Sequence, residues 1–238
     1  MNDDALAIVI GRSGSKGLPG KNHLLLAGRP MVVHSIHHAL AARTVGRVVV
    51  STDGAMIAEA ARSVADPRVS VIDRPAALAT DNSTVSEVLR HARRQAGGDE
   101  AIIVVLYANV PVRPDDLIDR AVVTLLATGA DSVQSYAPVG KHHPAWMVTI
   151  GPNGSVKPNV SQAPDRRQDL PPLHLPDGGV IALTSAAVTA PGQKHPHDFL
   201  GTDRRGIVTA PGTVIDVDEP VDMATAEATL RARMEAVT

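Results

Sequence analysis

The chain has 238 residues, of which 44% are hydrophobic, 20% are charged and 2% are aromatic, and its formal net charge is −2. This length fits one large α/β domain or one domain with a modest insertion, and the charge balance argues against a nucleic-acid partner. Because the chain contains no cysteine, disulfides and thiolate metal sites are excluded. The opening MNDDAL lacks the apolar core of a signal peptide, and no apolar run approaches the length of a transmembrane helix, so we expect a cytoplasmic protein with no membrane partner.

Short apolar runs alternate with helical patterns along most of the chain. Predicted strands cover residues 5–10, 47–52, 69–73, 101–108, 131–139 and 178–183. Predicted helices cover residues 30–42, 54–65, 83–96 and 113–129. Continuous apolar strands that alternate with helices are typical of a parallel sheet buried on both faces, so the pattern predicts a Rossmann-like α/β fold. Ligands in such folds bind at the carboxyl ends of the strands.

The pattern changes between residues 141 and 176, where prolines cluster and helical periodicity disappears. Disorder is one interpretation, and a β-rich excursion that packs on a partner subunit is the other. We favour the excursion because a long structureless segment within a compact domain is unusual. We therefore predict a single domain over residues 1–238 with an insertion over residues 138–178. The chain then closes with a predicted strand in GTVIDVD, a carboxylate cluster and an amphipathic helix.

The loop after the first predicted strand, GRSGSKGLPGKN at residues 11–22, is rich in glycine and in cations. Its glycine spacing differs from that of the dinucleotide fingerprint, and Asn22 follows Gly20-Lys21 where a Walker A loop needs Ser or Thr. Exposed backbone N–H groups in such a turn can hold phosphate. The cations Arg12, Lys16 and Lys21 suit a triphosphate better than one carboxylate, although a solvated basic turn is the other interpretation.

A second cluster, VIDVDEPVD, contains paired carboxylates near the end of the chain. In a strand, Asp216 and Asp218 would face the same side, and two adjacent like charges are unfavourable unless a cation lies between them. Mg²⁺ is held by one or two carboxylates together with phosphate oxygens, so we expect these two aspartates to bind Mg²⁺. Asp222 is predicted to cap the last helix. A basic loop and a metal-binding carboxylate pair together favour phosphoryl or nucleotidyl transfer from a nucleoside triphosphate.

Six segments, taken in order, resemble the N-acylneuraminate cytidylyltransferase (CMP-sialic acid synthetase) family. The segments are GRSGSKGLPGKN, VVVSTDGAMIAEAA, RPAALATDNSTVSEVL, GADSVQSYAPVGKHHPAW, RRQDLPP and IDVDEPVD. The resemblance implies a nucleotide-diphospho-sugar-transferase-like fold with a mixed, mostly parallel sheet and a small dimerisation insertion. It also implies a homodimer that joins CTP to a 2-keto-3-deoxy sugar acid, such as sialic acid or a related nonulosonic acid. The anomeric hydroxyl would attack the α-phosphorus and release pyrophosphate.

The resemblance also implies roles for particular residues. The nucleotide-binding residues would be Arg12, Ser15, Lys16, Lys21, Asn22, Arg74 and Ser83. The residues toward the sugar would be Tyr107, Asn109, Arg167, Gln168 and Asp177, with Arg167 and Gln168 reaching a sugar carboxylate in the neighbouring subunit. Arg12, Lys21 and Asp218 would be catalytic, with Asp218 assisting deprotonation of the hydroxyl, and Asp216 and Asp218 would hold Mg²⁺.

The chain departs from the family pattern at two places on the sugar side. Where the family reads LQPTSPLR, this chain reads LYANVPVR at residues 106–113, which introduces Tyr107 and Asn109. Where the family reads RPNGAIY, this chain reads LPDGGVI at residues 175–181, which replaces an arginine by Leu175 and an asparagine by Asp177. These changes leave two alternatives open: an enzyme that uses a different sugar acid or nucleotide, and a non-catalytic nucleotide-binding homologue.

Overall fold

The computed structural model describes residues 4–15, 17–191 and 195–236. The strands in these residues are β1 (Ala5–Ile10), β2 (Leu25–Leu26), β3 (Arg29–Pro30), β4 (Val45–Thr52), β5 (Val69–Asp73), β6 (Ile102–Tyr107), β7 (Ser132–Pro138), β8 (Val148–Ile150), β9 (Val156–Pro158), β10 (His174–Thr184) and β11 (Arg204–Val208). The α-helices are α1 (Met31–Ala41), α2 (Ala55–Arg62), α3 (Val85–Ala96), α4 (Leu117–Thr128), α5 (Ser185–Thr189) and α6 (Pro220–Glu235). None of these helices combines the length and apolar character that a membrane span requires.

Seven strands form one mixed sheet in the order β11-β7-β10-β6-β1-β4-β5. The neighbouring pairs are parallel except that β10 runs antiparallel to both β6 and β7. The predicted α/β fold with a mostly parallel sheet is therefore confirmed. As a result, the carboxyl ends of β1, β4, β5 and β6 meet at one edge of the sheet, and β10 begins at that same edge.

Helices cover both faces of the sheet, as the continuous apolar strands predict. One face packs its β1 and β4 side chains against α1, α2 and α4, and the other face packs against α3 and α5. Every residue of β1 is buried, which explains why this strand lacks the alternation of a half-exposed strand. Thr84 begins α3 with a capping box, in which its side chain accepts from the Glu87 N–H while the Glu87 carboxylate accepts from the Thr84 N–H.

The segment between β7 and β10 contains a short antiparallel hairpin of β8 and β9 with three turns of 3₁₀ helix around it. The side chains of this hairpin are exposed, including Ile150 at 72% and Val156 at 62%. Since apolar side chains of this size are buried when a surface is available, the hairpin presents an uncovered apolar face in the monomer.

The carboxyl-terminal region differs from its prediction. Residues 212–217, all described, form no strand and make one isolated antiparallel bridge, between Val112 and Ile215. The segment is extended but lies outside the sheet, where Ile215 and Val217 pack with Ala226 of α6. The period-two pattern therefore reflects burial of alternate side chains beneath α6, not membership of a sheet. The edge strand β11, which is largely exposed, carries too weak an apolar pattern to be predicted.

Candidate active site

A cleft of about 480 Å³ opens at the edge where the carboxyl ends of β1, β5 and β6 meet. We call it the first cleft, and its lining is formed by Ile10, Gly11, Arg12, Gly14, Ser15, Gly17, Lys21, Asn22, Arg74, Leu78, Thr80, Asp81, Ser83, Val85, Val88, Tyr107, Asn109, Asp218 and Glu219. The cleft therefore brings together six of the seven predicted nucleotide-binding residues. The seventh, Lys16, lies outside the described residues.

The glycine-rich loop is fixed from two directions. The Asp53 carboxylate, just after β4, accepts from the Ser13 backbone N–H at 2.8 Å and from the Ser13 hydroxyl at 2.5 Å. On the other side, a Cβ added at Gly17 would lie 2.6 Å from the backbone oxygen of Asp218. Glycine at position 17 is thus required for the close approach of the loop to the carboxylate segment.

Three cations, Arg12, Arg74 and Lys21, line the first cleft, and each has different hydrogen-bond partners. Arg12 forms an ion pair with Asp81 at 2.6 Å. Arg74 is buried and donates to the backbone oxygen of Ser51 at 2.5 Å, and burial lowers the pKa of its guanidinium to about 10. Since that pKa lies well above 7, Arg74 remains a cation at neutral pH.

Lys21 connects the basic loop to the carboxylate pair. Its ammonium donates to the Asp218 carboxylate and, at 2.9 Å, to the backbone oxygen of Val217. The Asn109 amide donates to carboxylate oxygens of both Asp216 and Asp218, the second at 3.4 Å. The two carboxylates therefore point to the same place, as predicted, although an extended loop and not a strand aligns them.

The electrostatics of this pair fit a bound cation. Burial and, next in size, the adjacent charge of Asp218 together raise the pKa of Asp216 to about 6. A divalent cation between these hard oxygen donors would relieve that repulsion. No group of three or more His, Cys, Asp or Glu suited to a metal occurs in the described part of the chain.

Asp222 is not part of the pair. Its carboxylate accepts from the backbone N–H groups of Asp218 and Glu219, at 3.1 and 2.9 Å, and belongs to the capping box of α6. The prediction of a capping role is confirmed. Asp222 also fixes the backbone on which Asp218 is carried.

Two predicted nucleotide-side residues have structural bonds in addition to their places in the cleft. The Asn22 amide donates to the backbone oxygen of Arg12 at 2.9 Å, while its buried Oδ1 has no hydrogen-bond partner in the described residues. The Ser83 hydroxyl lies 2.9 Å from that of Thr80 and donates to the Ala77 oxygen at 3.1 Å. Both side chains therefore help to shape the loops that line the cleft.

A second cavity of about 410 Å³ adjoins the first cleft and shares Val85 and Tyr107 with it. Its lining is formed by Val85, Tyr107, Gln134, Tyr136, Pro176, Gly178, Ile181, Pro196, His197, Phe199, Leu200 and Arg204. The guanidinium of Arg204 donates to the backbone oxygens of Gly201 and His197, at 2.8 and 3.1 Å, and neither of these acceptors is a carboxylate. The second cavity thus combines apolar walls with one arginine among its described lining.

Asp177 is directed away from both cavities. Its carboxylate accepts from Ser135 at 2.5 Å, from the Gly179 N–H at 2.9 Å and from Thr209 at 2.6 Å. These three bonds stabilise the irregularity between Pro176 and Ile181, where the pairing of β10 with β7 is interrupted. The carboxylate that the sequence adds on the sugar side therefore stabilises a strand bulge in this structure.

The predicted residues Arg167 and Gln168 lie on an exposed 3₁₀ turn within the insertion. Neither lines the first cleft or the second cavity of the described chain. Sequence reasoning, in turn, missed Asp53, Asp81 and Arg204. A usable signal existed for Asp53, because it directly follows a predicted strand and so lies at the edge where ligands bind.

A family model described as Cytidylyltransferase matches residues 6–147, which is more than half of the chain. The chain belongs to the cytidylyltransferase family. It is 33% identical over 179 residues to an N-acylneuraminate cytidylyltransferase of Streptococcus agalactiae serotype III, a match that covers 74% of this chain and 42% of that protein. It therefore spans less than half the length of this relative. It is also 29% identical over 239 residues, 98% of each chain, to a CMP-N,N'-diacetyllegionaminic acid synthase of Legionella pneumophila.

Two solved structures share the fold of this chain. A CMP:2-keto-3-deoxy-manno-octonic acid synthetase complexed with CTP superposes with a TM-score of 0.72 at 16% identity, over 97% of this chain and 99% of that one. A 4-diphosphocytidyl-2C-methyl-D-erythritol synthase from Anaerococcus prevotii superposes with a TM-score of 0.63 at 10% identity, over 97% of each chain. At these identities the likeness shows the fold alone.

Proposed function

We propose that this chain is a nucleotidyltransferase that joins CTP to a 2-keto-3-deoxy sugar acid, giving the CMP-sugar and pyrophosphate. Family membership and the names of the two relatives described above support this reaction class. The observation that carries the proposal is the contact between Lys21 and Asp218, which are 197 residues apart in sequence. It joins the glycine-rich basic loop to the carboxylate pair, of which Asp218 lines the first cleft.

The first cleft is proposed to hold CTP. Arg12, Lys21 and Arg74 supply the positive charge that a triphosphate requires, and the exposed backbone of the loop supplies N–H donors. Ser15, Lys16, Asn22 and Ser83 complete the proposed nucleotide site, as the family resemblance implies.

The reaction is a direct displacement at the α-phosphorus. The anomeric oxygen forms a bond to that phosphorus, the bond from the α-phosphorus to the oxygen bridging to the β-phosphorus breaks, and pyrophosphate leaves with that bonding pair. The hydroxyl proton passes to the Asp218 carboxylate in this proposal. Lys21 and Arg12 stabilise the negative charge that develops on the departing pyrophosphate.

Asp216 and Asp218 are the residues proposed to hold Mg²⁺. When bound, the ion would neutralise phosphate oxygens and so favour attack by an oxygen nucleophile. Because both carboxylates contact the Asn109 amide, that amide also fixes their orientation.

The sugar acid is proposed to occupy the second cavity. This position is supported by the shared wall at Tyr107, which separates the cavity from the first cleft. Arg204 would pair with the sugar carboxylate, and the apolar surface around Phe199 would contact the carbon skeleton. A homodimer, in which the insertion over residues 138–178 brings Arg167 and Gln168 to the partner's site, stays a prediction, and so does a cytoplasmic location.

A pyrophosphate-release assay tests the proposed function. The enzyme is incubated with Mg²⁺, CTP and each of a panel of 2-keto-3-deoxy acids of eight and nine carbons, and products are identified by mass spectrometry. We expect release with at least one acid and a product mass equal to acid plus CMP less water. Thermal stabilisation by CTP, UTP, GTP and ATP is measured in parallel and should favour CTP. Absence of release with every acid, from a protein that CTP stabilises, would contradict the transferase and leave a nucleotide-binding protein.

A further inference from the structure

Arg113 is a buried cation without a charged hydrogen-bond partner. Its side chain is 0% exposed, and its acceptors in the described residues are four uncharged oxygens. The guanidinium donates to the backbone oxygens of Gly179 at 2.6 Å, Tyr107 at 3.1 Å and Val110, and to the Ser35 hydroxyl at 3.0 Å. An unpaired buried charge is costly, so its presence here calls for an explanation.

The four acceptors belong to three parts of the fold. Tyr107 ends β6 and Val110 lies on the loop that follows it, Gly179 lies in the bulge of β10, and Ser35 lies on α1. The Ser35 hydroxyl is itself 2.9 Å from the Tyr107 oxygen and 3.2 Å from the Val110 oxygen. One planar guanidinium therefore fixes the separation of a loop, a strand and a helix.

The two segments joined by Arg113 form the boundary between the first cleft and the second cavity. Tyr107 lines both, and Gly178 lines the second cavity. Gly178 has φ +75°, and a Cβ added there would meet Val110 at 3.4 Å, Asp216 at 3.6 Å and Tyr107 at 3.9 Å. The bulge thus lies close to Tyr107, to Val110 and to the Asp216 carboxylate, with little room for a side chain at position 178.

Two carboxylates near Arg113 compensate its charge through space. Asp216 and Asp177 both favour the protonated guanidinium, while burial lowers its pKa to about 9. Asp177 also bonds the Gly179 N–H, so the peptide groups on either side of Gly179 are held by Asp177 and Arg113 respectively. This arrangement makes the bulge a rigid part of the site.

We propose that Arg113 is a positioning residue that fixes the Tyr107 wall and the Gly178 bulge, and thereby sets where the sugar hydroxyl lies relative to the α-phosphorus. The inference rests on the proposed function and goes beyond it by assigning a residue that touches neither substrate. A positional error of about 1 Å can cost about 100-fold in rate, so the effect should appear in the sugar-dependent step and spare the binding of CTP.

The test compares Arg113→Lys and Ser35→Ala with the matched control Arg47→Lys. Arg47 also donates to backbone oxygens, at Ala96 and Gly97, and in addition pairs with the Glu100 carboxylate at 2.6 Å, but it lines neither cavity. We expect Arg113→Lys to lower kcat/KM for the sugar acid about 100-fold while the Kd for CTP changes less than about twofold. Ser35→Ala should act in the same direction by about fivefold, the size of one lost hydrogen bond. Arg47→Lys should lower Tm without changing either constant.

If the wild-type protein turns over no acid, the proposed function fails and hydrogen exchange then decides the positioning role. Arg113→Lys and Ser35→Ala should raise exchange at residues 107–110 and 178–180 and leave the loop at residues 11–22 unchanged. A uniform rise across the chain would overturn the inference. So would variants that weaken CTP binding as strongly as they weaken use of the sugar acid, because Arg113 would then support the fold alone. Should Arg113→Lys fail to fold, Ser35→Ala provides the same readouts.

Discussion

The first cleft and the second cavity lie side by side yet are assembled in different ways. The first cleft is formed mainly by loops that directly follow β1, β5 and β6, so its polar residues occur in short, continuous motifs. The second cavity takes its walls from β7, the bulge of β10 and the segment around Arg204, which are distant in sequence. The comparison teaches that a motif search can find the residues of the first cleft but not those of the second cavity.

The first cleft and the second cavity meet at Tyr107, which is close in sequence to Asn109. Tyr107 belongs to both linings, and Asn109 bonds both carboxylates of the predicted metal pair. Variants within the first cleft should therefore change the binding of CTP, and variants within the second cavity should change use of the sugar acid. Variants at the boundary between the two regions should change the rate of the chemical step.

Asp218→Asn should produce the largest effect, because it removes one of the two negative charges of the predicted metal pair. We expect kcat to fall by about 1000-fold, since the neutral amide can neither take the hydroxyl proton nor bind Mg²⁺ as strongly. The measurement is pyrophosphate release at saturating CTP and acid. Asp203→Asn, which alters an exposed carboxylate paired with Arg205, serves as the control and should keep full turnover. Retention of more than a tenth of wild-type turnover by Asp218→Asn would remove Asp218 from the mechanism.

Arg204→Met tests whether the second cavity binds the sugar acid. Loss of one charged hydrogen bond to a carboxylate, worth about 2 kcal/mol, should raise KM for the acid about 30-fold while the Kd for CTP is unchanged. Arg205→Met is the matched control, because Arg205 is the adjacent residue and is 51% exposed in its ion pair with Asp203. Equal effects of the two variants would mean that the acid does not use Arg204.

Asp53→Ala tests the nucleotide half alone. The change removes both bonds to Ser13 and should loosen the glycine-rich loop, which would weaken CTP binding about tenfold, or about 1.4 kcal/mol. Calorimetry gives the Kd for CTP, and steady-state kinetics should show an unchanged KM for the acid. Asp66→Ala, which removes an exposed carboxylate paired with Arg68, controls for loss of charge. A larger effect on the acid than on CTP would reverse the assignment of the two regions.

Asp81→Asn should give the smallest effect and the opposite sign. In the structure the Asp81 carboxylate forms an ion pair with the Arg12 guanidinium. An exposed ion pair contributes about 0.2 to 1 kcal/mol. Its removal should tighten CTP binding by about two- to threefold at low salt, with a smaller gain at high salt. Weaker binding of CTP by the variant would show that Asp81 contributes a favourable contact to the nucleotide.

Most of the fold could be predicted because its strands are continuous and apolar. β1, β5 and β6 begin and end within a residue of the predicted bounds, and the capping box at Thr84 marks the start of α3. The pattern failed at β11, whose side chains are mostly exposed, and at residues 212–217, where alternation arises from packing under α6. At residues 212–217 the sequence shows which side chains are buried but not which element buries them.

Some residues of the candidate site could likewise be predicted from the sequence, and others could not. Arg12, Lys21 and Asp218 could be found because their chemistry stands out in a short motif. Asp177 could be recognised as a departure from the family pattern. The direction of its carboxylate could not be predicted, because the bulge of β10 turns it toward Ser135 and Thr209. The sequence alone therefore overstated the change on the sugar side.

The reversed direction of β10 has a consequence for how this architecture can vary. β7 ends, and β10 begins, at the edge of the sheet that carries both cavities, where His174 pairs with Pro138. Any segment inserted between these two strands must leave and return beside the two cavities. Its length can change without altering the register of the seven-stranded sheet, so this one connection allows new substrate contacts to be acquired at little cost to the stability of the core.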